Sequence, residues 1–211
     1  MARDLEPYLM ELARFSATFP VDNFYMKLHV PEPLRNDMTL WVRALVETPF
    51  IRSFDVPEKV FPDDVWVDAS TEWGVGVVVG ELWSAWKWRP GWQSESRHIG
   101  WAEAVALELG LLAAFACGAS RALIRFWSDN HGVIGAYKKG RSLGRQANTV
   151  LKRVLAAEKR EMSRLDIKYI ESANNPADAP SRGECLPGKR LPHFKIPPLV
   201  QHFLEEIPIQ E

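Results

Sequence analysis

The pattern of polar and apolar residues from 65 to 128 constrains the fold of this chain most strongly. Three short runs, VWVDAS, GVGVVVG and LWSAWKW, are rich in β-branched and aromatic residues and are separated by turn residues. Such runs predict the three strands of an antiparallel meander. Apolar residues at helical spacing follow from Trp101 to Cys117, and Gly118 is typical of a residue that ends a helix.

The next patterns add two strands and two helices. A fourth strand, RALIRFWS, is followed by helical stretches in GVIGAYKKG and in residues 145–162, and then by a fifth strand, LDIKYIES. Strand–helix–strand connections favour parallel neighbours. The order therefore predicts an α/β fold whose five-stranded mixed sheet, three antiparallel strands and then two parallel ones, is flanked by helices.

The flanking segments differ from this central part. Residues 1–60 contain two helical stretches with prolines at their joints, and residues 186–211 are interrupted by prolines throughout. A chain of 211 residues with 46% apolar residues is long enough for one sizeable core and an appendage. We therefore divide it into a helical N-terminal extension (1–60), one domain (61–185) and a C-terminal tail (186–211).

The cysteines and the apolar runs bear on the compartment. Cys117 and Cys185 match neither a disulfide framework nor a metal-ligand spacing, which indicates a reducing environment. No run approaches about 18 uncharged apolar residues, and acidic residues occur throughout the first 30 positions. We expect no membrane span and no signal peptide, and an intracellular protein of the cytoplasm or nucleus.

Charge is unevenly distributed, although the net charge is only −1. Residues 61–130 hold nine acidic and five basic residues, whereas residues 131–160 hold one acidic residue, Glu158. The eight bases of that second stretch are Lys138, Lys139, Arg141, Arg145, Lys152, Arg153, Lys159 and Arg160. A solvated helix face explains any one of these bases, whereas the group fits a phosphate-binding surface better.

Four carboxylates fall where predicted elements begin or end. Asp68 lies in the first strand, Glu103 in the first turn of the long helix, Asp129 just past the fourth strand and Asp178 beyond the fifth. Sites in open α/β sheets collect at the carboxyl ends of parallel strands. A site at which these acids converge is therefore geometrically possible.

Each acid also has a structural explanation. Glu103 fits the dipole at a helix start, and Asp178 fits the third position of a helix capped by Asn175. Asp129 fits an ordinary turn between a strand and a helix. Only Asp68 is hard to explain as structure, because Asp is disfavoured in a strand.

Convergence of the four would require a cation. Two carboxylates about 4 Å apart repel by about 4 kcal/mol at an effective dielectric constant near 20. Ligands that are all oxygen favour Mg²⁺ or Mn²⁺ over zinc, and two such ions roughly 4 Å apart can activate water and stabilise a leaving oxygen. Glu103 and Glu108 are separated by about 140° around a helix, so both cannot face one cluster. We favour Glu103, which lies nearer the strand ends.

These motifs resemble a known family. VDAS in the first strand, GWAEAVALELGLLAAF on a helix, SDN after the fourth strand and NNPADAPSRG after the fifth resemble the ribonuclease H domain. More narrowly, SDNHGVIGAYKKGRS and ESANNPADAPSRG are similar to the ribonuclease H of retroelement reverse transcriptases, especially DIRS-type and related fungal elements. The resemblance covers about residues 63–185.

The resemblance implies a ribonuclease H-like fold and an endonuclease that cleaves the RNA strand of an RNA/DNA hybrid, leaving a 3′-hydroxyl and a 5′-phosphate. It implies that two Mg²⁺ ions, with Mn²⁺ as a substitute, are held by Asp68, Glu103, Asp129 and Asp178. The residues expected to contact nucleic acid are Ser70, Asn130, Lys138, Lys139, Arg141 and Arg145.

The chain also departs from the family. Many cellular members carry a His in the loop before the last Asp, whereas that loop here is SANN. Glu171, Asn174 or His131 are the possible substitutes, although a capping or solvent role is the preferred interpretation of His131. Residues 1–60 resemble the segment that joins a polymerase to its ribonuclease H, which makes a polymerase portion of the same element protein a possible partner.

Two other functions remain open. One is a nucleic-acid-binding module that has kept the fold and lost the chemistry. The other is an integrase-like or resolvase-like nuclease, which the four acids and the SDN motif disfavour.

Overall fold

One mixed, open sheet organises the part of the chain that the computed structural model describes, residues 3–23, 25–46, 57 and 59–207. Its strands are β1 (Lys59–Val60), β2 (Val65–Ala69), β3 (Gly74–Val79), β4 (Leu82–Trp88), β5 (Ala122–Ser128), β6 (Arg164–Tyr169), β7 (Lys189–Arg190) and β8 (Leu204–Glu206). The helices are α1 (Leu9–Ser16), α2 (Glu32–Val46), α3 (Ile99–Ala116), α4 (His131–Lys139), α5 (Arg145–Arg160), α6 (Asp178–Ser181) and α7 (Pro198–Gln201). A 3-10 helix (Arg3–Tyr8) precedes α1, and another (Ser172–Asn174) follows β6.

The centre of the sheet agrees with the predicted pattern. β2, β3 and β4 form an antiparallel meander, β5 pairs parallel to β2, and β6 pairs parallel to β5. The central order is therefore β4-β3-β2-β5-β6. This confirms the α/β class and the mixed sheet flanked by helices.

Within the described residues, three short strands increase the predicted number from five to eight. β1 pairs parallel with the first part of β5, and β7 and β8 both pair with β4. The last two lie in the segment assigned to a tail, which also contributes Leu191, Val200 and Leu204 to the core. This segment therefore covers the outer edge of the meander.

The main core lies between the sheet and the helices α3 and α5. Val65 and Val67 of β2 point into it and are fully buried. Gly110 allows α3 to lie close to the sheet, because a Cβ there would fall 2.5 Å from Cγ1 of Val67 and 3.0 Å from Cε1 of Phe126. This close approach brings α3, which carries Glu103, against β2 and β5.

The other face of the sheet carries the short helix α6 and a smaller apolar cluster. Val78, Trp83 and Ala85 of the meander pack there around Ala177, which precedes α6. Residues alternate between faces along a strand, so Asp68 lies on this face whereas Val67 faces α3. β2 therefore presents the Asp68 carboxylate toward α6.

α3 is the one described helix that is long and apolar enough to cross a membrane by length and composition. In this fold 72% of it is buried inside the protein. Thirteen of its residues are buried, including two glutamates, Glu103 and Glu108. Its apolar character is thus explained by its place at the centre of the core.

The N-terminal segment packs on α5 through polar contacts. Lys152 of α5 lies 2.8 Å from Asp37 of α2, and the Asn148 side chain donates a hydrogen bond to the carbonyl of Pro7. Arg145 pairs with Glu11 of α1 at 3.1 Å. Residues 47–56 of the proposed extension lie outside the described residues.

Candidate metal centre

Asp68 and Asp129 are brought together by the register of two parallel strands. The ladder between β2 and β5 consists of Val65 with Phe126 and Trp66 with Trp127. Each Asp lies two residues beyond the last pair, so both occupy equivalent positions where the strands have stopped pairing. A third side chain reaches these two acids from α3.

Glu103 supplies that third side chain. α3 begins at Ile99 with His98 as its cap, whose Nδ1 accepts a hydrogen bond from the backbone N–H of Gly100 at 3.1 Å. Glu103 is therefore in the second turn of the helix, not in the first turn as predicted. The helix dipole acts mainly on the first turn, so it does not explain this acid.

The three carboxylates form a compact cluster. One oxygen from each of Asp68, Glu103 and Asp129 lies within 4.8 Å of the others. Asp68 and Glu103 are only 5% and 4% exposed, and Asp129 is half-buried. Oε2 of Glu103 is buried and has no hydrogen-bond partner among the described residues. This unpartnered oxygen fits a site that takes up a cation.

Burial changes the acidity of this cluster. Burial, together with the charges of Asp68 and Asp129, raises the pKa of Glu103 to about 9, and a hydrogen bond with Asn130 acts in the opposite direction. Burial also raises the pKa of Asp68 to about 6, against a hydrogen bond from Ser181 that lowers it. Without a cation the site therefore keeps a proton on Glu103 at neutral pH, and a divalent ion would replace it.

Asp178, the fourth predicted ligand, lies beside this cluster but not in it. It starts α6, and its two carboxylate oxygens lie 3.1 and 3.0 Å from Nε of Arg182. Ser172 also donates a hydrogen bond to it at 3.3 Å. Its charge nevertheless raises the pKa of Asp68, so the two carboxylates are near each other. The structure thus brings together three of the four predicted acids, whereas the fourth, Asp178, is held by the Arg182 guanidinium.

Glu108 lies outside the cluster, in agreement with its helical phase, and has a structural role. Arg153 of α5 donates to both of its carboxylate oxygens, at 2.6 and 2.7 Å. The Glu108 side chain is 4% exposed, so this bidentate ion pair compensates a buried charge between α3 and α5.

Two predicted nucleic-acid contacts also have local structural roles. The Ser70 hydroxyl accepts hydrogen bonds from the backbone N–H groups of Glu72 and Trp73, both at 3.2 Å, and so closes the turn after β2. Oδ1 of Asn130 caps α4 by accepting from the N–H of Val133 at 3.1 Å. Both residues are half-buried. Their contact with nucleic acid stays a prediction.

The basic stretch is largely engaged in ion pairs. Its ion pairs include Arg141 with Glu6, Arg145 with Glu11, Lys152 with Asp37, Arg153 with Glu108 and Arg160 with Glu161, and Lys159 also has an interaction partner. Within the described residues, Lys138 and Lys139 have no ion pair and are exposed in the last turn of α4. Of the four predicted phosphate contacts, these two lysines are thus the ones without a competing acid.

The three candidates for the missing His differ in position. His131 is exposed and stacks on Tyr169, with ring centroids 4.1 Å apart and planes at 9°. Glu171 and Asn174 are exposed and lie in the loop that leads to Asp178, where the Asn174 amide contacts Glu171 at 3.4 Å. His131 is therefore a solvent-exposed residue in an aromatic pair, in agreement with the solvent role, whereas the cap of α4 is Asn130.

Residues that sequence reasoning did not assign complete the site. The buried hydroxyl of Ser181 donates to Oδ2 of Asp68, and Arg182 neutralises Asp178. Both lie in the NNPADAPSRG motif, and their spacing of three and four residues from Asp178 on a helical turn was the available signal. Carboxylates in this arrangement can bind a hard divalent cation. Comparison with models of protein families, with curated proteins and with solved structures found no match.

Proposed function

We propose that this chain is a metal-dependent endoribonuclease of ribonuclease H-like fold that hydrolyses the RNA strand of RNA/DNA hybrids. The observation that carries the proposal is the buried cluster of Asp68, Glu103 and Asp129, whose oxygens lie within 4.8 Å. An uncompensated cluster of this kind would destabilise the fold, so its presence favours a binding function. The order of the central strands is compatible with the ribonuclease H-like fold.

The chemistry of the donors favours Mg²⁺, with Mn²⁺ as its substitute. All candidate ligands are carboxylate oxygens, and the unpartnered Oε2 of Glu103 is a donor that a hard cation would use. Asp68, Glu103 and Asp129 would hold the first ion, and Asp178 would help to hold a second one. Bound ions would lower the pKa of a water nucleophile and neutralise charge on the phosphodiester.

The residues around the acids have roles that follow from their positions. Arg182 holds the Asp178 carboxylate beside the cluster, and an ion pair with an exposed guanidinium is weak enough to be exchanged for a cation. Lys138 and Lys139 would contact the phosphate backbone of the hybrid. The resemblance to retroelement enzymes makes a polymerase portion of the same protein the proposed partner, and a compartment that holds such hybrids, cytoplasm or nucleus, the proposed location.

A hybrid-cleavage assay tests the proposal. The full chain is incubated with an end-labelled RNA strand paired to DNA, in Mg²⁺, in Mn²⁺ and in chelator, with duplex RNA and duplex DNA as alternative substrates. We expect cleavage of the hybrid alone, dependent on the metal and abolished by Asp129→Asn. Asp166→Asn is the matched control, because Asp166 lies on β6 and its carboxylate pairs with Lys168 at 3.4 Å outside the cluster. Cleavage that survives Asp129→Asn would refute the mechanism.

The second candidate is a binding module without catalysis. The observation that favours it is the position of Asp178, which is paired with Arg182 and lies outside the cluster of three. Salt-dependent binding of the hybrid without cleavage in either Mg²⁺ or Mn²⁺ would support this alternative.

A further inference from the structure

Ser181 occupies a position between two parts of the candidate metal centre. Its side chain is fully buried, and its hydroxyl contacts both Oδ2 of Asp68 and the backbone carbonyl of Asp178, the latter at 2.8 Å. A hydroxyl has one proton to donate, so these two acceptors share it. A buried hydroxyl is costly unless it is hydrogen-bonded, and both of its acceptors belong to predicted metal ligands.

The backbone around Ser181 is fixed on the strand that carries Asp68. The Asn175 amide donates to the carbonyl of Val67 at 3.1 Å, and its oxygen accepts from the N–H of Ala177 at 3.1 Å. Gly76, which pairs with Asp68 across the β2–β3 ladder, lets this segment approach. A Cβ on Gly76 would lie 2.3 Å from the carbonyl oxygen of Ala177 and 2.6 Å from the backbone nitrogen of Ser181.

We infer that Ser181 is a positioning residue: its hydroxyl fixes the orientation of the Asp68 carboxylate and ties it to the segment that carries Asp178. The hydrogen bond to Oδ2 leaves the Asp68 carboxylate a single orientation in which to meet Glu103 and Asp129. The contact with the Asp178 carbonyl holds the start of α6 in a fixed position relative to the Asp68 carboxylate. This inference rests on the proposed function, in so far as the acids must bind a divalent cation.

Mn²⁺ binding to the full chain tests the inference, with free Mn²⁺ measured by electron paramagnetic resonance. We expect Ser181→Ala to weaken Mn²⁺ affinity about tenfold, the usual effect of losing a hydrogen bond to a metal ligand. Ser181→Cys keeps a weaker hydrogen-bond donor, so its Mn²⁺ affinity should lie between those of the wild type and Ser181→Ala. The matched control is Ser163→Ala, because Ser163 is also buried and its hydroxyl also bridges two groups, accepting from Ala122 and donating to Ala119.

Stability separates positioning from folding. Both alanine variants lose a buried hydroxyl with its hydrogen bonds, so each should lower the unfolding temperature of the metal-free protein by a similar amount. Only Ser181→Ala should change Mn²⁺ affinity.

The outcomes distinguish this inference from the proposed function. Unchanged Mn²⁺ affinity in Ser181→Ala, or an equal loss in Ser163→Ala, would overturn the inference and leave the proposed function standing. A wild type whose Mn²⁺ affinity depends on Ser181 but which does not cleave hybrid would support the inference and contradict the proposed function. A wild type that does not bind Mn²⁺ would overturn both.

Discussion

At the scale of single residues, the buried carboxyl of Glu103 makes stability depend on pH. Its folded pKa is about 9 and its ordinary value is 4.5, so the folded chain keeps this proton over a range in which the unfolded chain loses it. The stability that the Glu103 carboxyl contributes is fully present below about pH 4. It is lost as the pH rises toward 9, at roughly 1 kcal/mol of unfolding free energy for each pH unit. Asp68 acts in the same direction between its ordinary value of 3.8 and about 6.

We therefore predict that Glu103→Gln stabilises the metal-free protein at alkaline pH. Gln cannot ionise, so the free energy of unfolding of the variant should exceed that of the wild type by a few kcal/mol near pH 8, and the difference should nearly vanish near pH 4. Denaturant unfolding in chelator across this pH range measures it. Glu171→Gln, on an exposed acid, is the control and should follow the wild type.

Mg²⁺ should stabilise the wild type more than Glu103→Gln, the opposite of the comparison at alkaline pH without metal. A ligand that binds only the folded state stabilises it, so Mg²⁺ should raise the unfolding temperature of the wild type and leave Glu103→Gln nearly unchanged. Parallel pH curves for the two proteins, or equal stabilisation by Mg²⁺, would contradict the assignment of Glu103 to the site.

At single residues, the sequence was most informative where a residue had no good structural explanation or where helical phase separated two candidates. Asp68 was disfavoured in its strand, and helical phase separated Glu103 from Glu108, whose bidentate pair with Arg153 confirms that the two glutamates face different neighbours. The pairing of Asp178 with Arg182 was not predicted. A side-chain ion pair at a spacing of four residues depends on where a short helix begins, and the sequence placed this start differently.

At the scale of elements, the close contact between α6 and β3 is the part of the site that is most sensitive to an added side chain. Gly76→Ala would place a Cβ 2.3 Å from the Ala177 carbonyl oxygen, so α6 must move away from the sheet. We predict a loss of about 2 kcal/mol in the free energy of unfolding. The Mn²⁺ affinity should fall by a larger fraction than the stability does, because Ser181 would move away from Asp68. Thermal unfolding and Mn²⁺ titration measure the two effects.

Gly135→Ala provides the matched control. It makes the same substitution in the middle of α4, where an added Cβ meets nothing within 4 Å. Alanine favours a helix over glycine, so this variant should be as stable as the wild type or more stable by about 0.5 kcal/mol. If Gly76→Ala bound Mn²⁺ as tightly as Gly135→Ala does, the hypothesis that α6 positions the site would be wrong.

Long elements were predictable and short ones were not. The three strands of the meander and the long apolar helix have enough residues to show a period, and the structure contains each of them. β1 and β7 have two residues and β8 has three, too few for a pattern. β7 and β8 pair with the outer edge of β4, and β1 pairs with the first two residues of β5, which β2 does not reach; only the assembled sheet defines these positions.

At the scale of the whole molecule, the C-terminal segment is part of the fold. Leu191, Val200 and Leu204 are buried against the main core, and the Phe203 ring meets the guanidinium of Arg97 at 4.3 Å. Burying three such side chains contributes about 5 kcal/mol, comparable to the total stability of many domains. We predict that a variant ending at residue 185 is unfolded or melts far below the full chain in circular dichroism.

A variant ending at residue 202 tests this in a graded way. It keeps β7 and α7 and loses Phe203 and β8, so its unfolding temperature should lie between those of the full chain and the shorter variant. If the variant ending at residue 185 melted like the full chain, residues 186–207 would be an appendage, as the sequence suggested.

The charge distribution of the whole molecule predicts where a polyanion binds. Lys138 and Lys139 are exposed at the end of α4, a helix that starts two residues after Asp129, and nine residues of helix span about 13 Å. This distance suits phosphates a short way along a strand whose reacting phosphate lies at the acids. Arg141 and Arg145, in contrast, face Glu6 and Glu11 of the N-terminal segment.

We therefore predict that replacing Lys138 and Lys139 together by Ala weakens hybrid binding and lowers the slope of log affinity against log salt by about 1 to 2, since each lost phosphate contact removes nearly one unit. Replacing Arg141 and Arg145 should change the slope less, because their acids already neutralise them. Fluorescence anisotropy over a series of KCl concentrations, with Ca²⁺ in place of Mg²⁺, measures both variants. Mn²⁺ affinity should be unchanged in each, because none of the four side chains belongs to the acidic cluster. A larger slope change for the arginine variant would mean that nucleic acid displaces Glu6 and Glu11, and would place the hybrid along α5 instead of α4.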